Sequence, residues 1–277
     1  MKTVVITGAN TGIGLATAKA FAQDGHHVIL ACRNQQKANS AKAEIEALGN
    51  GKVDVIQLDL NDLNQVKQTA ETLHKHYEKI DILVNNAGLM SPNLESTANG
   101  FEKQIGVNYL GHFLWTLKLL PLLEKSDAGR VIHLASMMHV LGNINTDQFE
   151  FDSVKKYNGV LSYGHSKLAN LLFSNALAEK LKPTTITSNA LHPGGVDSEI
   201  YRDLPKYQYL AMKLFLISPK KPAELIKKMA LSPEWSSRTG QYVSLQTPAF
   251  RSSKAKNQKL ALELYEYTES LLAEYLS

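Results

Sequence analysis

Cysteine is almost missing from this sequence: Cys32 is the only one in 277 residues. A lone thiol excludes an internal disulfide, fits a reducing compartment, and reads as a small apolar core residue. Long hydrophobic runs are missing too. None approaches the length of a membrane span, and Lys2–Thr7 reads as a strand rather than as a charged-then-apolar leader. A cytoplasmic protein with no membrane span is the expectation. An excess of one charge is also lacking, with 30 Lys and Arg against 26 Asp and Glu for a formal +4. Most of the cations are lysines scattered over helix faces, a solvated surface that lends no support to a nucleic-acid partner. His139 and His192 share no metal-ligand spacing with each other or with Cys32, so both read as structural histidines and no metal site is expected. No linker, repeat or low-complexity segment interrupts the chain, and 1–277 reads as a single domain with one large core.

What is present is regular alternation. Apolar, β-branched runs at Val4–Thr7, His27–Ala31, Val53–Gln57, Ile80–Asn85, Arg130–Ala135, Thr185–Leu191 and Gln241–Leu245 read as strands. They are mostly continuous rather than alternating, as for strands covered on both faces. Helical patterns lie between them at Ile13–Asp24, Gln36–Leu48, Leu63–Tyr77, Gly100–Leu123 and Ser162–Leu181, with a further one at Lys256–Tyr275. Strand-helix alternation of this kind implies an α/β fold: a doubly wound, seven-stranded parallel sheet of Rossmann type with helices on both faces. The final helix carries Leu260, Leu264, Tyr267, Leu271 and Tyr275 on one stripe, which packs on the domain or on a partner subunit.

The first strand runs into Thr7-Gly8-Ala9-Asn10-Thr11-Gly12-Ile13-Gly14. Glycines there permit a tight turn and close approach of backbone to ligand, and the following helix aims its N-terminal amides at the same place. A pyrophosphate is the natural occupant, making Gly8, Asn10, Thr11, Gly12, Ile13 and Gly14 candidate cofactor contacts. The second strand ends in Ala31-Cys32-Arg33-Asn34, without the acidic residue that would bind a ribose 2′-hydroxyl. Arg33, with Lys37 one helical turn on, suits a 2′-phosphate, so NADP (NADPH) is expected in preference to NAD. After the third strand, Asp59-Leu60 offers a carboxylate to an adenine amino group; the alternative is a helix cap, a role Asn61 or Asp62 could also fill. The fourth strand ends in Asn85-Asn86-Ala87-Gly88, small residues that let a flat ring pass close by. Asn108 is polar within an apolar helix and reads as bonded to something specific, structural or catalytic. Ser136 follows the fifth strand, and His192-Pro193-Gly194-Gly195-Val196 closes the sixth at the same sheet edge. Tyr163 and Lys167, four apart at the head of a helical run, share one helix face, where an ammonium favours a phenolate.

These motifs together resemble the short-chain dehydrogenase/reductase family over nearly the whole chain: Thr7-Gly8 with Gly12-Ile13-Gly14, Asn85-Asn86-Ala87-Gly88, Asn108, Ser136, Tyr163 with Lys167, and Pro193-Gly194. Within the family the chain looks most like the retinol dehydrogenase and WW-domain oxidoreductase group. The carrying segments are Ala31–Asn34, Asn108–Phe113 and Tyr163–Phe173. It departs in three places. No counterpart of the hydrophobic N-terminal anchor of membrane-bound retinol dehydrogenases is expected, Ala135 stands where the group has a second serine, and Val196-Asp197-Ser198 replaces the usual threonine stretch, so that Ser198 is expected to stand in near the nicotinamide carboxamide.

The resemblance implies the following roles. Tyr163 exchanges a proton with the substrate oxygen, Ser136 holds that oxygen, Lys167 binds the nicotinamide ribose, and Asn108 orders a water linking Lys167 to solvent. Cofactor contacts extend to Arg33, Asp59, Leu60, Asn86, Ala87, Gly88, Pro193, Gly194, Val196 and Ser198. Homodimers or homotetramers are usual in the family. The substrate is expected to be a small carbonyl or alcohol; the stretch over about 199–221, rich in Tyr, Leu and Phe, reads either as a lid that selects a lipophilic aldehyde or ketone or as a plain packing helix. Two rival readings stand beside this one. A nucleotide-sugar epimerase or dehydratase is disfavoured by length and by the Gly8-Gly12-Gly14 spacing. A cofactor-binding regulator without catalysis is disfavoured by retention of Ser136, Tyr163, Lys167 and Asn108.

Overall fold

The structure, a computed structural model, describes residues 1–196, 216–245 and 249–277. Seven parallel strands form one sheet: β1 (Thr3–Thr7), β2 (His27–Cys32), β3 (Val53–Gln57), β4 (Ile82–Asn85), β5 (Arg130–Leu134), β6 (Thr187–His192) and β7 (Tyr242–Ser244), in the order β3-β2-β1-β4-β5-β6-β7. The main helices are α1 (Gly12–Gln23), α2 (Gln35–Glu46), α3 (Leu63–His76), α4 (Gly111–Glu124), α5 (Gly159–Lys180), α6 (Lys220–Leu231) and α7 (Gln258–Leu271).

Successive strand residues feed opposite core layers, as a period of two requires. Val5, Ile29, Leu83 and Val131 pack with Val66, Trp115 and Phe173 from α3, α4 and α5. Val4, Ile6, Val28 and Leu30 pack on the other face with Phe21, Ile45 and Ile226 from α1, α2 and α6. Both faces are therefore covered, and the continuous apolar character of the strands follows. Cys32 is buried in the second layer, where burial pushes its thiol up to about 11.

Two helices differ from the sequence pattern. The expected helix over Gly100–Leu123 is broken into Lys103–Ile105, a π-turn over Gly106–Leu110, and α4. The carboxylate of Glu102 accepts from the Gln104 and Ile105 amides and so sets a later start. At the turn, the Gly111 amide reaches back five residues to Gly106. The expected C-terminal helix is likewise split into Ser253–Lys256, α7 and Ala273–Leu276, because Asn257 is extended and caps the Leu260 amide. Of its apolar stripe, Leu264 is buried in the α4–α5 core layer and Leu260, Leu271 and Tyr275 pack against it, whereas Tyr267 stays exposed. The stripe thus covers its own domain.

The sheet order reverses between β2 and β4 on either side of β1, the position at which open α/β sheets open a crevice beyond their carboxyl ends.

Candidate active site

A cleft of about 630 Å³ opens at that crevice. It is lined by Gly8, Asn10, Thr11, Gly12 and Ile13 from the first turn, by Arg33 after β2, and by Asp59 and Leu60 after β3. Asn86, Ala87 and Gly88 line it after β4, Ser136 after β5, Tyr163 and Lys167 on α5, and Pro193, Gly194 and Val196 after β6. One cavity thus gathers residues scattered over most of the chain. Ser198 and most of the 199–221 stretch lie outside the described residues; within 216–221, Ile217 bridges to Val196 and α6 begins at Lys220.

Two expected contacts stand behind the cleft wall. Gly14 packs so closely that an added Cβ would sit 2.4 Å from the Gly8 carbonyl and 2.6 Å from Asn86 Nδ2. Its lack of a side chain lets α1 meet the turn, while Gly8 and Gly12 carry positive φ of 64° and 54°. Asn86 Nδ2 donates to the Thr7 carbonyl at 2.7 Å and to that of Gly8 at 3.3 Å, joining the turns after β1 and β4.

Asn108, the second, is fully buried on the π-turn. Its Oδ1 accepts from the Leu89 amide at 2.8 Å, and its Nδ2 donates to the Leu89 carbonyl and to Ser166 Oγ. That satisfaction answers why an Asn sits within an apolar helix. π-turns inside helices recur at functional sites.

Lys167 is 3% exposed, and its Nζ donates to the Leu134 carbonyl at 3.1 Å. Desolvation alone pushes its pKa down to about 8, far enough for the ammonium to give up a proton near working pH. Nζ lies 5.4 Å from the centre of the Tyr163 ring. A Cβ on Gly88 would lie 3.3 Å from Nζ, so glycine there keeps the ammonium accessible from the cleft. Ser136 Oγ accepts from the Met138 amide at 3.2 Å, which directs the hydroxyl proton elsewhere, toward an acceptor in the cleft.

At the far end, Arg33 and Lys37 are exposed on the wall with Asn34 between β2 and α2. Asn34 caps α2 by accepting from the Lys37 amide. Asp59 is not the helix cap: Asp62 accepts from the Asn64 and Gln65 amides of α3, while Asp59 Oδ1 accepts from the Asn61 amide at the cleft wall. The cradle fits a nicotinamide dinucleotide. Glycines make room at both turns, basic groups stand at one end, and a buried ammonium with a phenol stands at the other.

Sequence reasoning missed the apolar wall around Ser136 and Tyr163, formed by Leu89, Met90, Met138 and Val160. A signal existed: Val160 lies three residues before Tyr163 on one helix, and Met138 lies two after Ser136. It missed the support beneath the turns as well, where Thr7 Oγ1 accepts from the Asn86 and Ala87 amides at 2.9 Å each.

Residues 2–149 match the sequence profile of a family described as short chain dehydrogenase. The chain is 41% identical over 278 residues to retinol dehydrogenase 12 of Mus musculus, covering 98% of this chain and 86% of that protein. It is 38% identical over 274 residues to retinol dehydrogenase 11 of Homo sapiens, with the same coverage. Among solved structures, an uncharacterized protein from Mycobacterium Paratuberculosis superposes with a TM-score of 0.80 at 33% identity, covering 99% of this chain and 94% of that one.

Proposed function

Because the chain belongs to the short-chain dehydrogenase family, and is thereby an oxidoreductase acting on an alcohol or carbonyl group, we propose that it reduces a lipophilic aldehyde or ketone with NADPH. The observation that carries this reading is the convergence of Ser136, Tyr163 and buried Lys167 in the lining of the same cleft that holds the glycine turn.

When bound, the nicotinamide supplies the hydride. Ser136, with its oxygen already taken by the Met138 amide, donates to the substrate carbonyl oxygen and stabilises the negative charge growing on it. Tyr163 gives that oxygen its proton. Lys167 holds a ribose hydroxyl, favours the phenolate that Tyr163 leaves, and passes a proton back to it. Its lowered pKa of about 8 makes the last step feasible near neutrality. Asn108 holds the Leu89 backbone beside Gly88, and the family resemblance gives it the further role of ordering the water through which Lys167 is reprotonated. Each step reverses for alcohol oxidation.

The preference for NADPH rests on Arg33 and Lys37 on the cleft wall after β2, where a carboxylate would select NAD. The apolar class of substrate rests on Leu89, Met90, Met138 and Val160. Retinal-like aldehydes fit that class, and the similarity to proteins named retinol dehydrogenase points the same way. The reading takes 1–277 as one domain, supported by a single sheet with both faces covered. It also places the protein in the cytoplasm, which the single buried thiol favours; among the described residues no helix is long and apolar enough to cross a membrane. Self-association as a homodimer or homotetramer rests on the family resemblance alone.

Nicotinamide fluorescence titrations with NADPH and NADH, in the wild type and in Arg33→Ala, test the proposal. NADPH binding that weakens at least tenfold in the variant, with reduction of C10–C20 aldehydes by NADPH, is the expected result. Equal binding of both cofactors in both proteins overturns the NADPH preference. Binding with no turnover of any carbonyl or alcohol leaves a cofactor-binding regulator.

A further inference from the structure

His112 lies in the Asn108–Phe113 segment, and neither the cleft nor the proton relay uses it directly. It is 2% exposed, one helical turn beyond Asn108, and it touches two of the site's supports. Its Nε2 lies 2.8 Å from Thr7 Oγ1, and its Nδ1 lies 3.0 Å from the Asn108 carbonyl oxygen. The contacts allow one arrangement of protons. Thr7 Oγ1 already accepts from the Asn86 and Ala87 amides, which occupies both lone pairs. Its single proton is left for His112 Nε2, the Val84 carbonyl being 3.5 Å away. Nε2 must then be an acceptor, so Nδ1 carries the hydrogen, and the Asn108 carbonyl is an acceptor for it. Burial also pushes the imidazole down to about 4, with the Lys167 ammonium adding to the effect and the hydrogen bond to the Asn108 carbonyl opposing it, which keeps the ring neutral at physiological pH.

We propose that His112 is a positioning residue: in this one tautomer it locks the Thr7 hydroxyl and the Asn108 backbone together, setting the paired cofactor turns and the proton-relay turn as a unit. Thr7 governs the turns because the Asn86 and Ala87 amides hang on its oxygen and Asn86 in turn holds the Thr7 and Gly8 carbonyls. Asn108 governs the relay because its side chain fixes Leu89 next to Gly88, facing the Lys167 ammonium. The two supports are 101 residues apart in sequence (108 − 7); this imidazole bonds to both, and the 86–89 turn hangs from Thr7 at one end and from Asn108 at the other. The functional half of the inference rests on the proposed oxidoreductase role of Asn108 and Lys167; the tautomer does not.

Two isosteres separate the halves. His112→Asn keeps a donor near Nδ1 for the Asn108 carbonyl and gives up the acceptor for Thr7. His112→Gln keeps an acceptor near Nε2 for Thr7 and gives up the donor. The Asn variant is expected to keep kcat for NADPH-dependent aldehyde reduction within about threefold while its NADPH dissociation constant rises roughly tenfold, a loss typical of one buried hydrogen bond. The Gln variant is expected to show the reverse, with NADPH affinity near wild type and kcat down about tenfold. If both variants lose only thermal stability, or lose affinity and kcat in equal measure, the positioning role is overturned. Histidine-selective 15N labelling and NMR of the wild type read the ring directly. A single Nδ1–H tautomer that does not titrate between about pH 5 and 8 is expected, and an Nε2–H or doubly protonated ring sinks the inference. Should the wild type neither bind NADPH nor reduce the aldehydes, the oxidoreductase reading fails by itself, and the His112 arrangement is still decided by the NMR tautomer.

Discussion

Lys167 Nζ donates to the carbonyl of Leu134 across 3.1 Å, tying the helix that carries Tyr163 to the end of the strand that leads into Ser136. The bond orients the ammonium, but a single carbonyl does not replace the water that burial removes, and the lysine's pKa falls to about 8. A folded-state pKa below the unfolded value of about 10.4 means that the unfolded chain binds more protons between those limits. Stability of the cofactor-free protein should therefore rise as pH climbs from about 8 toward 10, by up to ~3 kcal/mol at about 1.4 kcal/mol per unit. Denaturant titrations of the wild type and Lys167→Met across that range check it. The variant should lack this rise, and parallel curves would contradict the burial argument.

Gly14 offers a steric test. An alanine methyl would meet the Gly8 carbonyl at 2.4 Å and Ala9 Cα at 2.9 Å, and neither backbone atom can step aside without moving the turn. Gly14→Ala is expected to lower stability by about 1–3 kcal/mol and to weaken NADPH binding by more than tenfold. Thermal melts with and without NADPH separate the two effects, since a binding defect removes the cofactor-induced rise in Tm.

His133 should be one of the main contributors to the acid limb of stability, beside His112 and His192. Asn85 Nδ2 can only donate, so His133 Nδ1 accepts from it at 3.3 Å, and Nε2 faces Ser188 Oγ at 3.3 Å. Desolvation pushes its pKa down to about 3, below the unfolded value of about 6.5. The unfolded state then binds more protons over that interval, and stability is lost as pH falls from about 6.5 toward 3. His112, held at about 4, acts in the same direction. His133→Gln should flatten this limb in urea titrations at stepped pH; an unchanged slope would place the acid sensitivity elsewhere.

The attachment of α7 can be measured through one hydrogen bond. Thr268 Oγ1 gives its proton to the Leu264 carbonyl at 2.8 Å, so the buried Tyr109 hydroxyl is the donor to Thr268 across 2.7 Å. A double-mutant cycle with Tyr109→Phe and Thr268→Val is expected to show a coupling of about 0.5–1.5 kcal/mol. A coupling near zero would mean that apolar contacts alone seat the helix.

Local chemistry in the sequence was enough for the strands, the glycine turn and the Tyr163–Lys167 pair, because each depends on neighbours within a few residues. An apolar run covered on both faces, a turn needing Gly8 and Gly12 at positive φ, and two side chains one helical turn apart all leave periodic or compositional marks. Tertiary structure alone decided what depends on partners far along the chain. The π-turn at Gly106–Leu110 leaves no mark in an apolar stretch that otherwise suits an α-helix, and Glu102 as the cap is recognised only once Gln104 and Ile105 present their amides. The C-terminal stripe has the same pattern whether it meets its own domain or another copy, and only the packed α4–α5 layer settled the choice. His112 reads in sequence as one more polar residue in a helix. Its place between Thr7 and Asn108 exists because β1 and the π-turn are brought within one imidazole's reach, a distance set by the sheet and its packed helices rather than by any neighbouring residue.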